Sequence, residues 1–112
     1  MMNMALKDLN PAALKKRAAE AEAFLAALAS RHRLLILCSL IERERSVGEL
    51  VTRLGLTQSN LSRHLALLRE ERLVATRREG TVIYYRIGSD RVHSILAELY
   101  RLFCAPDAKS RR

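Results

Sequence analysis

The sequence predicts a mainly helical fold carrying one small β-hairpin, in the order helix, helix, helix, helix, strand, strand, helix. Three observations predict it. Apolar residues recur at helical spacing over most of the chain, and alternation replaces that spacing only after Arg72. The 112 residues include just 4 Gly and 2 Pro, too few of the turn-forming residues for a loop-rich or all-β architecture.

Each element has its own signal. Asn10 is a good helix cap, and Pro11 suits the first helical position, where a missing N–H costs nothing. The Ala-, Leu-, Glu- and Lys-rich run that follows predicts a long helix over about 11–29, with Leu14, Ala18, Ala21, Leu25 and Leu28 at helical spacing. Ser30 caps a second helix over roughly 31–43, whose stripe of Leu34, Leu37, Cys38 and Ile41 puts Cys38 in the core or at its margin. Ser46 and Glu49 form a capping box for a short helix, 47–54, which Gly55 ends. Thr57 caps the next helix, about 58–71, with Leu61, Leu65 and Leu68 facing inward. Leu73 to Arg78 and Thr81 to Ile87 are rich in β-branched and aromatic residues around Glu79-Gly80, which predicts a two-stranded hairpin. Such a hairpin is marginal alone and must lean on the helices. Ser89 caps a last helix through Cys104, with Val92, Ile95, Leu96, Leu99 and Phe103 as its apolar stripe, and Pro106 stops it. A helix-turn-helix at about 46–71 followed at once by a wing at about 73–87 is a winged-helix arrangement, read here as one domain over 1–112 with a disordered tail at 107–112.

Composition narrows the function. Twenty Lys and Arg against 12 Asp and Glu give a net charge of +8 on a chain that is 49% hydrophobic, so it folds and its first candidate partner is nucleic acid. The longest apolar run, Ala23 to Ala29, is far short of the roughly 18 residues of a membrane span, and Met1-Met2-Asn3-Met4 lacks the basic region of a signal peptide. A cytoplasmic location with no membrane partner follows as the expectation. Two cysteines build neither a disulfide scaffold nor a four-thiolate zinc site, no Gly-rich phosphate loop is present, and no cofactor is expected. Aromatics at 4% and no Trp argue against a base-stacking platform for single strands.

The helix from Gln58 carries Gln58, Ser59, Asn60, Ser62, Arg63 and His64 on its first turns. Amides bond base edges bidentately, hydroxyls bond bases or phosphates, and Arg suits guanine or phosphate. The N-terminal residues of a recognition helix are the ones that reach bases, so double-stranded DNA is the expected partner. The plainer alternative is a helical hairpin with a solvated polar face. Arg77, Arg78 and Arg86 on the wing suit DNA backbone or minor groove, although edge-strand charges also serve simply to block aggregation. Taken as chemistry alone, Cys38 and Cys104 read as small buried hydrophobes. Leu25 and Leu28 on the first helix, with Leu96 and Leu99 on the last, offer more apolar surface than so small a domain buries alone, which predicts a dimer.

Leu34-Leu35-Ile36-Leu37, Ser46-Val47-Gly48-Glu49-Leu50, Leu56-Thr57-Gln58-Ser59-Asn60-Leu61-Ser62-Arg63-His64-Leu65, and Arg77-Arg78-Glu79-Gly80 with Tyr84-Tyr85-Arg86 together resemble the ArsR/SmtB family of bacterial repressors over about residues 15–104. The resemblance implies a homodimer joined by its first and last helices, a palindromic operator, and release from DNA by an inducer. The thiol-rich segment of the arsenic and cadmium sensors is replaced by Arg45-Ser46-Val47-Gly48-Glu49-Leu50, and the zinc site of the last helix is not matched beyond Asp90, so no metal site carries over. Cys38 and Cys104 resemble instead the cysteine pair of the BigR/SqrR/HlyU-type branch. That likeness implies sensing of reactive sulfur species or oxidants through a bridge between the two thiols. Three rivals stand beside it: a metal or metalloid sensor using Cys38, Cys104 and His93, a thiol oxidoreductase, and a nucleoid-packing protein. The oxidoreductase lacks a CxxC, and the packing protein would not need base-reading residue types.

Overall fold

The computed structural model describes residues 10–104, and its elements follow the expected order with one addition. They are α1 (Pro11–Leu28), α2 (Arg31–Glu42), β1 (Arg45–Ser46), α3 (Val47–Leu54), α4 (Gln58–Glu70), β2 (Val74–Glu79), β3 (Val82–Ile87) and α5 (Asp90–Phe103). The N-terminal reading at Met1–Met4, the stop at Pro106 and the tail at 107–112 lie outside the described residues.

Helix α1 starts as its sequence dictates. The Asn10 side chain accepts from the Ala12 and Ala13 amides at 2.9 and 3.2 Å, satisfying two N–H groups that the helix itself cannot. Its expected apolar stripe meets little of its own chain. Leu14 and Leu25 are 46% and 56% exposed, and only Ala27 and Leu28 are buried.

The stripe on α2 is rotated from the one expected. Ile36, Leu37 and Leu40 are buried, Leu34 and Ile41 pack only partly against them, and Cys38 is exposed. Leu34 to Leu37 are apolar without a break, so periodicity admits two neighbouring stripes, and packing against the rest of the fold selects the one through Ile36.

Strand β1 corrects the two-stranded hairpin. It pairs antiparallel with β3, Arg45 opposite Tyr85 and Ser46 opposite Tyr84, making a three-stranded sheet in the order β1-β3-β2. Two residues are too few to show alternation, so no sequence signal marked it. The added strand supplies part of the support that the hairpin needs. Arg45 is buried at 7% exposure, with its Nε donating to the Ser39 carbonyl at 2.9 Å and Nη2 to Glu42 Oε1 at 2.5 Å. Arg53 of α3 donates to the same carboxylate at 3.1 and 3.2 Å. A buried guanidinium is tolerable only when paired in this way.

The helix-turn-helix forms as read. Ser46 Oγ accepts from the Glu49 amide at 3.1 Å, and Glu49 Oε1 accepts from the Ser46 amide at 2.8 Å. Gly55 ends α3 at φ 70°, a left-handed conformation open to Gly at no steric cost. Thr57 Oγ1 accepts from the Asn60 amide at 3.1 Å and starts α4. Leu50, Leu61, Leu65 and Leu68 turn inward and are buried.

The hairpin turn is Gly80-Thr81 rather than Glu79-Gly80, since Glu79 pairs with Val82. Beyond β3, the Gly88 amide donates to the Leu73 carbonyl at 2.9 Å, and a Cβ at Gly88 would lie 3.1 Å from Val74 C and 3.2 Å from Ala75 N. That approach admits only glycine without a shift of backbone. Ser89 caps α5 as expected, and Val92 and Leu96 seat the helix. Phe103 departs from its expected place in the stripe and stands 75% exposed, because α5 runs past the edge of the core. The core lies among α2, α3, α4 and the sheet, closed by the end of α1 and the first half of α5.

Candidate functional site

The first turns of α4 present Gln58, Ser59, Ser62 and Arg63 to solvent, and with Ala66 they line a shallow concave face. The inward leucines fix the rotation of the helix, so these polar side chains share the opposite side. Arg63 Nη2 donates to Asn60 Oδ1 at 3.1 Å, which orients both groups along the helix surface. Asn60 itself is half-buried.

His64 is placed differently from its neighbours. It is half-buried, and its ring meets His32 edge-on with centroids 5.6 Å apart. Arg33 Nη1 lies 3.4 Å from His64 Nδ1. A guanidinium only donates, so the tautomer that suits this contact is the neutral one with its proton on Nε2. Burial holds the His64 pKa below its ordinary value, and the charges of Arg33, His32 and Arg63 act in the same direction.

The three wing arginines do not share a face. Strand pairing sets Arg77 opposite Tyr84 and Arg86 opposite Ala75 on one side of the hairpin, and Arg78 opposite Ile83 on the side that carries Val74 and Ile87 into the core. Arg77 is engaged within the chain. Its Nε donates to Glu44 Oε1 and Oε2 at 2.9 and 3.0 Å, its Nη1 reaches Glu79 at 3.3 Å, and its guanidinium lies 4.5 Å from the Tyr84 ring centre. The hydrogen bond that Arg77 donates to Glu44 raises the Arg77 pKa. Arg78 and Arg86 are exposed.

The cysteines, far apart in sequence, come to the same side of the molecule. Cys38 opens onto a groove of about 520 Å³ between α2 and α5, and Cys104 is the residue that caps α5. Both thiols are free and exposed. Partial burial raises the Cys38 pKa, and the nearby Cys104 adds to the rise. Arg101, one turn before Cys104, is paired with Glu98. His93 lines the same groove, yet among the described residues no three His, Cys, Asp or Glu side chains converge as metal ligands.

Three functional neighbours were not visible in the sequence: Arg33 behind His64, Glu44 on Arg77, and Glu42 on the groove wall. Each acts on a partner from another element, and no local spacing signals such a pair.

Comparison with known proteins decides the family. The family model described as "Bacterial regulatory protein, arsR family" matches residues 30–76. The chain is 45% identical over 96 residues to the transcriptional activator HlyU of Vibrio cholerae serotype O1, covering 86% of this chain and 89% of that protein. This chain belongs to the ArsR family. It is also 43% identical over 95 residues to the biofilm growth-associated repressor of Agrobacterium fabrum, covering 85% of this chain and 81% of that one. The solved structure of reduced HlyU from Vibrio cholerae superposes with a TM-score of 0.78 at 46% identity, over 82% of this chain and 97% of that chain. As a member of the ArsR family the protein is a DNA-binding transcriptional regulator and not an enzyme. Among the described residues no single helix is long and apolar enough to cross a membrane.

Proposed function

We propose that this ArsR-family regulator is a homodimeric repressor of a palindromic operator, released when Cys38 and Cys104 are bridged by reactive sulfur species or oxidants. The placement of Cys38 in the α2–α5 groove and of Cys104 at the end of α5 carries this reading. DNA is read by Gln58, Ser59, Asn60, Ser62 and Arg63 and held by Arg78 and Arg86, with Arg77 available once Glu44 lets go. His64 steadies α4 through Arg33. The partner copy covers the exposed stripe of α1, where Leu14 and Leu25 have little to pack on in one chain.

With an organic persulfide, the Cys38 thiolate attacks the outer sulfur. The S–S bond breaks, the organic thiolate leaves with the proton given up by Cys38, and Cys38 becomes a persulfide. The Cys104 thiolate then attacks the Cys38 sulfur, hydrosulfide leaves, and a disulfide remains. The two cysteines are oxidised and the persulfide is reduced to a thiol and hydrogen sulfide. A link from α2 to α5 joins the core beside the helix-turn-helix to the helix expected at the dimer interface. Paired half-sites lie about 34–36 Å apart, so a small rotation between copies prevents both α4 helices from docking at once. The change is a shift between states and needs no block of α4 itself.

The test is operator binding, on a duplex selected from random sequence, before and after treatment with cysteine persulfide or peroxide. The expected outcome is release of the unmodified chain, more readily by persulfide, with Cys38→Ser and Cys104→Ser staying bound. Normal release of either variant by persulfide overturns the two-thiol switch.

A further inference from the structure

We propose that the groove between α2 and α5 is a binding site for neutral organic polysulfides, with Cys38 as the reacting group on its wall. This rests on the thiol-switch reading and names the class of reagent. The groove holds about 520 Å³. Pockets that take organic ligands span about 300–1,000 Å³, whereas a single water fills about 30 Å³, so peroxide or hydrosulfide would leave most of this space unused. Ile41, Leu96, Ala97 and Tyr100 make its wall mainly apolar, which favours an organic body over a bare sulfur chain. Glu42 on the same wall is paired with Arg45 and Arg53, so its carboxylate is already neutralised and the apolar lining sets the preference for an uncharged reagent. Partial burial disfavours the Cys38 thiolate. A pocket that keeps the reagent beside the sulfur offsets that handicap by proximity.

A dialkyl trisulfide fits the chemistry. The Cys38 thiolate attacks the central sulfur, one S–S bond breaks, and an alkyl thiolate leaves and takes up the proton. The Cys104 thiolate attacks the same central sulfur and expels the second alkyl thiolate. The products are a trisulfide bridge between Cys38 and Cys104 and two alkyl thiols, with no other oxidant consumed. The extra sulfur lengthens the bridge, which relaxes the Cα separation of about 7 Å that limits a direct disulfide.

The experiment follows bridge formation by intact-mass spectrometry with three probes: diallyl trisulfide, glutathione trisulfide and inorganic tetrasulfide. The unmodified chain is expected to react about tenfold faster with diallyl trisulfide than with glutathione trisulfide, the discrimination that one misfitting group in an apolar pocket produces. Ala97→Leu, a substitution at an exposed helical position on the groove wall, is expected to remove that preference. Equal rates for the two trisulfides on the unmodified chain overturn the pocket, as does an Ala97→Leu preference equal to the parent's. Those results leave the thiol switch standing. A Cys38→Ser chain released from DNA by all three probes removes the switch, and the pocket with it.

Discussion

Arg33 touches His64 and the end of α1 at once. Its Nη1 lies 3.4 Å from His64 Nδ1, while Nε and Nη2 donate to the Ala27 and Ala26 carbonyls at 2.7 and 3.3 Å. One side chain therefore caps the C-terminus of α1 and braces the helix that carries the exposed polar turn.

Acidification should loosen this junction. The folded chain holds the His64 pKa below 6.5, so the unfolded chain takes up its proton first as the pH falls. The stabilising contribution of the neutral ring is complete above 6.5 and is lost as pH drops from there through the lower folded value. Urea midpoints measured on both sides of that value should fall on the acid side, and His64→Gln should show a smaller fall. An equal fall in the variant assigns the titration to another group.

Glu44→Gln should strengthen DNA binding without regard to sequence. It frees Arg77 from its carboxylate partner and removes a negative charge beside the wing. The slope of log affinity against log salt should steepen by about 1, as for one added phosphate contact. An unchanged slope means that Arg77 does not reach DNA.

Arg63→Ala should weaken operator binding by about 1–3 kcal/mol, and Gln58→Ala should relax specificity by a similar amount, if each makes a good base contact. Competition between the selected operator and scrambled duplex separates the two effects. Parent-like binding by both variants would take the reading role away from this face.

Gly88→Ala should destabilise the fold by about 1–3 kcal/mol, the range for overpacking, because the new Cβ meets β2 backbone rather than a side chain that turns aside. Chemical denaturation reads this directly, with Gly48→Ala as the control at a site where the nearest neighbour of a Cβ, Ser46 Oγ, is 3.9 Å away.

Leu25→Glu should shift the protein to monomer in sedimentation at micromolar concentration and abolish palindromic binding. Leu25 is 56% exposed and lies outside the core, so the charge leaves the fold of one chain intact. A variant that stays dimeric moves the interface away from α1.

The helices were legible because their signals are local. Asn10, Ser30, Ser46, Thr57 and Ser89 each cap the helix expected of them, and Leu61, Leu65 and Leu68 face inward as their spacing requires. The misses are non-local. Strand β1 exists through its pairing with Tyr84 and Tyr85, and Arg45 is buried because Glu42 and the Ser39 carbonyl receive it. The inward side of α2 was ambiguous while four apolar residues ran together, and Cys38 lay on the wrong side of that choice. At the candidate site the exposed polar turn was readable from composition, but the engagement of Arg77 and the inward lean of His64 depend on Glu44 and Arg33, which lie far away in sequence.

Strand β1 has a further consequence. Because Arg45 and Ser46 pair with Tyr85 and Tyr84, the chain leaves the sheet just before α3 and returns to it after α4. The helix-turn-helix is thus a cassette clamped at both ends by the two strands that flank β3. Within it, the leucines that anchor α4 and the exposed polar side chains occupy opposite sides of one helix. Operator preference can therefore drift by substitution on the outer side while the inner side keeps the frame. A lineage carrying this fold is free to acquire new target genes without first rebuilding its core.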